Sequence, residues 1–159
     1  FGETDGRSAA LKVQDEKSGA LTLTFSKFAM RDGKISGCID IRYPVCVVLE
    51  DVVAGLSAAL EQAGVHYGRN MEEKPDIVPE DSEFVQKLLR VYSEVEGEPG
   101  CCIAIGGGTY VHTVEGGVAF GVERGNTDYH MHGNDEFITE EELLKDAVLF
   151  ACAIVDICG

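Results

Sequence analysis

Three side chains with metal-binding donors, Asp128, His130 and His132, occupy alternate positions in the stretch TDYHMHGNDEF, residues 127–137. In an extended segment alternate side chains share a face. Two or three of them would then meet one ion, and imidazole with carboxylate suits zinc at about 2.0–2.2 Å. The plainer reading is a polar loop with exposed histidines, because His-x-His is short and common where a helical His-Glu-x-x-His is specific. Asp135 and Glu136 divide the same way, as groups that orient a ligand or as the acidic cap of the helix that follows. His66 and His112 have no neighbours at ligand spacing and are read as structural.

Gly106, Gly107, Gly108 and Thr109 follow a short apolar run. Consecutive backbone N–H groups free of side chains, with a hydroxyl beside them, can hold an anion such as a carboxylate. A tight turn or close backbone packing would use the same glycines without any ligand. No Lys-Ser or Lys-Thr follows the run, so it is not a P-loop, and it lacks the spacing of a dinucleotide fingerprint. Arg42 can grip a carboxylate with two guanidinium nitrogens, a geometry lysine lacks. In an acidic chain a surface ion pair is the duller account of it.

The charge balance narrows the partners. Among 159 residues, 28 Asp and Glu stand against 13 Lys and Arg, for a formal charge of −15. Such a chain repels phosphate backbones and anionic membrane surfaces, so neither nucleic acid nor membrane is expected as a partner. No apolar run approaches the roughly 20 residues that cross a bilayer, and the opening FGETDGRSAAL has neither a basic nor an apolar leader region. Six cysteines form no Cys-x-x-Cys pair and mostly sit in apolar segments. Reduced thiols and a cytoplasmic setting are expected. The chain opens on Phe1 rather than Met, and it is expected to begin inside a longer protein.

The elements that position these residues follow from periodicity. Leu21, Leu23 and Phe25 alternate with Thr22, Thr24 and Ser26 as in a half-buried strand. Asp32-Gly33 then predicts a type I′ hairpin turn. In the return strand Ile35, Ile39 and Ile41 share one face, and Cys38, Asp40 and Arg42 the other. Leu49, Val52, Val53, Leu56 and Leu60 fall on helical spacing, and Gly64 stops that helix. Residues 65–74 read as another strand. Strand, hairpin, strand, helix, strand is the later part of a ferredoxin-like split unit whose opening strand is missing, with residues 1–13 as the end of its first helix. The stretch from Glu72 to Asp81 carries two prolines and suits a linker, with a boundary near residue 76.

Beyond the boundary, Phe84, Leu88 and Tyr92 form a helical stripe, with Asp81 or Ser82 as its cap and Gly97 after its end. Residues 101–105 and 116–123 read as short apolar strands, the second buried on both sides through Ala119, Phe120 and Val122. Thr139 and Glu142 make a capping box before an apolar C-terminal helix. The second segment is therefore α/β.

Three stretches in order, IRYP at 41–44, IGGGTYVHTVEGGVAFGVE at 105–123 and MHGNDEFI at 131–138, resemble the C-terminal part of PepV-like dipeptidases. That group sits among the dinuclear zinc peptidases, with aminoacylases and glutamate carboxypeptidases. The resemblance implies an α/β fold class in which residues 1–75 end a ferredoxin-like (α+β) lid domain and residues 76–159 close an α/β catalytic domain. It implies His132 as one zinc ligand and Glu136 as the acid of the same His-x-x-x-Glu pattern. It implies Arg42 as the group that binds the substrate's C-terminal carboxylate, with Gly106, Gly107, Gly108 and Thr109 lining the pocket. His130 has no counterpart in it. The remaining ligands of the two zinc ions, the bridging Asp and the general base belong to an N-terminal segment with no equivalent here, so the N-terminal half of the same protein is an implied partner and this chain alone would be inactive. The implied substrate is a dipeptide or short peptide. From the residues alone, a non-catalytic module that holds small carboxylates through Arg42 and the glycines, or a merely structural domain, fits as well.

Overall fold

The structure is a computed structural model and describes residues 3–68, 72–121 and 127–159. It is mixed α and β, with two small antiparallel sheets and three α-helices among the described residues. The chain packs as two compact units, Phe1–Ile77 with Ala104–Gly108, and Val78–Ile103 with Thr109–Gly159.

The first unit is built on a long hairpin, β3 (Thr22–Arg31) against β4 (Lys34–Arg42), preceded by the two-residue strands β1 (Gln14–Asp15) and β2 (Gly19–Ala20). Asp32 and Gly33 both take positive φ, 50° and 70°, as a type I′ turn requires. A β-bulge between Phe25 and Lys27 shifts the register. Its consequence is a change of phase: Leu23 and Phe25 lie opposite Ile41 and Ile39, while Phe28 and Met30 lie opposite Gly37 and Ile35. All of these side chains therefore share one apolar face, and Arg42, Asp40 and Cys38 stand on the other. Gly37 is required there, because a Cβ at that position would overlap the Phe25 ring.

Near the strand ends this face is covered by helix α1 (Leu49–Gln62). Leu11, Leu21 and Val52 form the buried core, with Leu23, Ile41, Tyr43 and Leu56 packed around it. Toward the turn the face is open, with Phe28, Met30 and Ile35 54–66% exposed. Gly64 (φ 69°) takes the left-handed position just past the α1 C-cap Ala63. Among the described residues of the expected helix over 1–13, no α-helix forms. Only a 3-10 turn, Arg7–Ala9, occurs there, because Gly6 and Ala10 flank it with left-handed backbone. Asp15 instead organises this stretch, its Oδ1 accepting the backbone N–H groups of Lys17 and Ser18 at 2.7 and 2.8 Å.

The second unit is a helix pair, α2 (Glu83–Glu96) and α3 (Glu140–Cys158). Ser82 caps α2 by accepting from the Val85 N–H, and Gly97 ends it at φ 80°. The expected stripe is rotated: Val85, Leu88 and Val91 are buried, whereas Phe84 is 38% exposed. Leu88 and Val91 meet Leu149 and Ala153 of α3, with Val118 and Phe120 against the same cluster. Ion pairs Arg90–Asp156 and Glu96–Lys145, each 2.5 Å, tie the helices. Rising numbers in α2 meet falling numbers in α3, so the pair is antiparallel.

The predicted strands of this half do not appear. Residues 101–105 and 116–121 belong to no ladder, Val122 and Glu123 lie outside the described residues, and the described parts of 65–74 are equally unpaired. A strand exists only where a neighbour takes its hydrogen bonds, and among the described residues none does. Ile103 and Ile105 are accordingly 69% and 53% exposed, and Ala119 is exposed where burial on both sides was expected.

Candidate functional site

The His132 loop is not extended. His130, His132 and Asp135 have φ of 54°, 62° and 59°, so backbone turns break the alternation that would have set Asp128, His130 and His132 on one face. That expectation fails for a physical reason: the loop spends its polar groups on its own backbone. Asp128 accepts the His130 N–H at 2.9 Å, His130 C=O accepts the Gly133 N–H at 2.7 Å, and Glu136 Oε2 accepts the His132 N–H at 3.3 Å. Three non-glycine residues in the left-handed region cost on the order of 1–2 kcal/mol each, and such outliers persist only when the surroundings hold them.

Those surroundings are visible. Phe137 packs its ring against Tyr129 and, edge-on, against His130, with centroids 5.8 and 5.9 Å apart. Phe137 N–H donates to Tyr129 C=O at 3.3 Å and closes the loop. The expected capping box is formed: Thr139 Oγ1 accepts from the Glu142 N–H, and Glu142 reaches back to the Thr139 N–H. Tyr129 is a residue that sequence spacing did not single out. Its hydroxyl donates to Glu142 Oε1 at 2.6 Å, a contact across 13 positions that no periodicity announces.

In the first unit Arg42 ends β4 with its side chain 46% exposed, and Asp40, two residues back on the same face, lies 3.3 Å from its Nε. That ion pair was legible, since the alternation already placed both on one face. Gly106 and Gly107 are exposed, neither has positive φ, and a Cβ built on either meets no atom within 4 Å. The fold therefore uses neither the conformational freedom nor the smallness of these two glycines. Gly108 is exposed beside them, and Thr109 is extended (φ −129°, ψ 170°) where the second unit resumes and a 3-10 turn begins. Arg42 and Gly106–Gly108 thus lie in the first unit, and Thr109, His132 and Glu136 in the second.

No family model matches this sequence. Curated proteins do. The protein named "Putative dipeptidase YtjP" of Bacillus subtilis (strain 168) is 32% identical over 157 residues, covering 98% of this chain and 33% of that protein. "Beta-Ala-Xaa dipeptidase" of Lactobacillus delbrueckii subsp. lactis is 33% identical over 157 residues, 96% of this chain and 32% of its own length. The chain is similar to bacterial dipeptidases. It spans about a third of the length of these curated relatives.

A zinc site of the kind the resemblance implies needs donors, and this dipeptidase-like chain offers them sparingly. Among the described residues no three His, Cys, Asp or Glu side chains gather as metal ligands. Imidazole is a donor zinc accepts, while Glu136 spends Oε2 on the His132 backbone. The loop thus brings no closed set of zinc donors together among the described residues. All six thiols are unpaired, and among the described residues no helix is long and apolar enough to cross a membrane.

Proposed function

We propose that this chain is the C-terminal third of a zinc-dependent dipeptidase that hydrolyses short peptides bearing a free C-terminal carboxylate. The observation that carries the proposal is the similarity to proteins named dipeptidases over nearly all of this chain, and Gly106 and Gly107, exposed and with no atom within 4 Å of a Cβ built on either, are consistent with it. Glycine in such a place suits a segment that a substrate backbone approaches closely.

In this account residues 1–75 close a lid domain and residues 76–159 a catalytic domain, and the N-terminal part of the same protein supplies the other metal ligands and the general base. The isolated chain is then inactive. Two zinc ions, when bound, would acidify a water and polarise the scissile carbonyl. What these residues do is bind and orient. Arg42 takes the substrate carboxylate through the guanidinium edge that Asp40 leaves free. The N–H groups of Gly106–Gly108 and the Thr109 hydroxyl line the peptide. His132 donates its imidazole, and Glu136 holds the His132 backbone in its left-handed turn. Unpaired thiols suit a cytoplasmic setting.

The test is metal content and dipeptide turnover of the full-length protein, with His132→Ala and Arg42→Ala beside it. His132→Ala loses zinc; Arg42→Ala keeps zinc and loses affinity for the peptide. Full zinc in the first variant removes the metal role. Tight binding of a dipeptide by metal-free protein, with no turnover when zinc is restored, would instead favour a non-catalytic carboxylate-binding module.

A further inference from the structure

The loop that carries His132 is fastened to α3 by a hydrogen-bonded chain that needs no metal. One carboxylate, that of Glu142, serves both ends of the fastening. Its Oε1 accepts from the Tyr129 hydroxyl at 2.6 Å, and its Oε2 accepts the Thr139 N–H at 3.2 Å and the Thr139 hydroxyl at 2.6 Å. The residue that caps the helix thus also clamps the chain three positions before His132. The second anchor is Phe137, bonded through its N–H to Tyr129 C=O and packed against the Tyr129 ring at an interplanar angle of 52°. Between positions 129 and 137 lie all three left-handed non-glycine residues of the loop. A short segment with that backbone relaxes unless both ends are fixed.

We propose that Tyr129 and Glu142 are positioning residues that fix the direction in which the His132 imidazole is presented, making the capped end of α3 the rigid base of the metal-binding loop. The inference rests on His132 acting as a ligand in the dipeptidase reading above. Both act through the backbone, as groups beyond the ligands do elsewhere when they set ligand orientation.

Tyr129→Phe in the full-length protein is the test, because it removes one hydroxyl and keeps the ring on Phe137. Zinc affinity is read by competition with a chelator, alongside thermal melting of the metal-free protein and steady-state hydrolysis of a dipeptide. Substitutions behind metal ligands weaken metal binding about 10- to 100-fold, and an effect relayed through backbone belongs near the lower end. The expected result is zinc binding weakened about 10-fold, kcat reduced and KM unchanged, with Glu142→Gln retaining affinity that Glu142→Ala loses. Wild-type zinc affinity in Tyr129→Phe, whether or not melting shifts, overturns the positioning role. Zinc retained by His132→Ala in the same assay shows instead that His132 is no ligand, and both readings fall together.

Discussion

The proposed role of Arg42 as the carboxylate-binding group is tested by Arg42→Lys, which keeps the positive charge and removes the planar fork. Asp40 lies 3.3 Å from the Arg42 Nε, so the two terminal nitrogens are what remain for a substrate carboxylate. Lysine replaces that pair of parallel bonds with one. A hydrogen bond to a charged group contributes about 1.5–3 kcal/mol net. With the side chain 46% exposed, solvent competes and the lower end applies. A loss of about 1.5 kcal/mol is roughly 10-fold in binding. Because the carboxylate does not change during hydrolysis, the loss falls on KM and leaves kcat. The assay is steady-state hydrolysis by the full-length protein of one dipeptide as free acid and as C-terminal amide. KM rises about 10-fold for the acid and stays the same for the amide. An unchanged KM for the acid, or an equal loss on the amide, refutes Arg42 as the carboxylate group.

Two further substitutions test the units themselves. Leu149 is 0% exposed at the centre of the α2–α3 cluster, so Leu149→Ala leaves a cavity and costs about 3 kcal/mol in denaturant unfolding; a loss below about 1 kcal/mol would mean the helices are not packed as described. Backbone N–H groups of Ser18, then Lys17, hold the Asp15 carboxyl below the usual range. Its folded value being depressed, the stability it gives is present above the ordinary Asp range and is lost as pH falls through the folded value. Asp15→Asn should therefore flatten, in thermal melts from roughly pH 5 to pH 2, part of the acid limb. Some slope remains, since Glu3, bonded by Ser8, and Asp5, paired with Arg7, are depressed as well. An identical acid limb in the variant would show that Asp15 contributes nothing.

What the sequence announced were features whose cause is local. Asp32-Gly33, Gly64, Ser82 with Gly97, and Thr139 with Glu142 each satisfy a backbone need within four residues, and each is found in place. The bulge at Ser26 was legible in principle, because the apolar residues change phase from Leu23 and Phe25 to Phe28 and Met30. What was not legible depends on distant partners. Strands at 101–105 and 116–121 need neighbours that local pattern cannot supply. The left-handed turns at His130 and His132 carry residues ordinarily found there less often than glycine, and they are held by Tyr129 and Phe137 from outside the turn. Spacing arguments about metal ligands assume a backbone, and here the assumed one was extended.

The exposed apolar surfaces bear on the proposed role. Helix α3 buries Leu149 and Ala153, yet Leu144, Val148, Ile154 and Val155 elsewhere on it are 54–72% exposed. From Ala147 onward α3 carries one charged residue, Asp156, and a helical stretch apolar nearly all round is characteristic of one enclosed on several sides. In the first unit the hairpin face is covered by α1 only near the strand ends, and Phe28, Met30 and Ile35 stand open beyond it. Patches of this kind mark surfaces that meet other protein. Two units, each with a capped and ordered framework and each with an apolar face left over, suit a chain that aligns with a third of a dipeptidase better than they suit a self-contained binding module. The dipeptidase proposal therefore predicts that the exposed faces of α3 and of the hairpin become protected from hydrogen exchange in a longer protein that contains this chain.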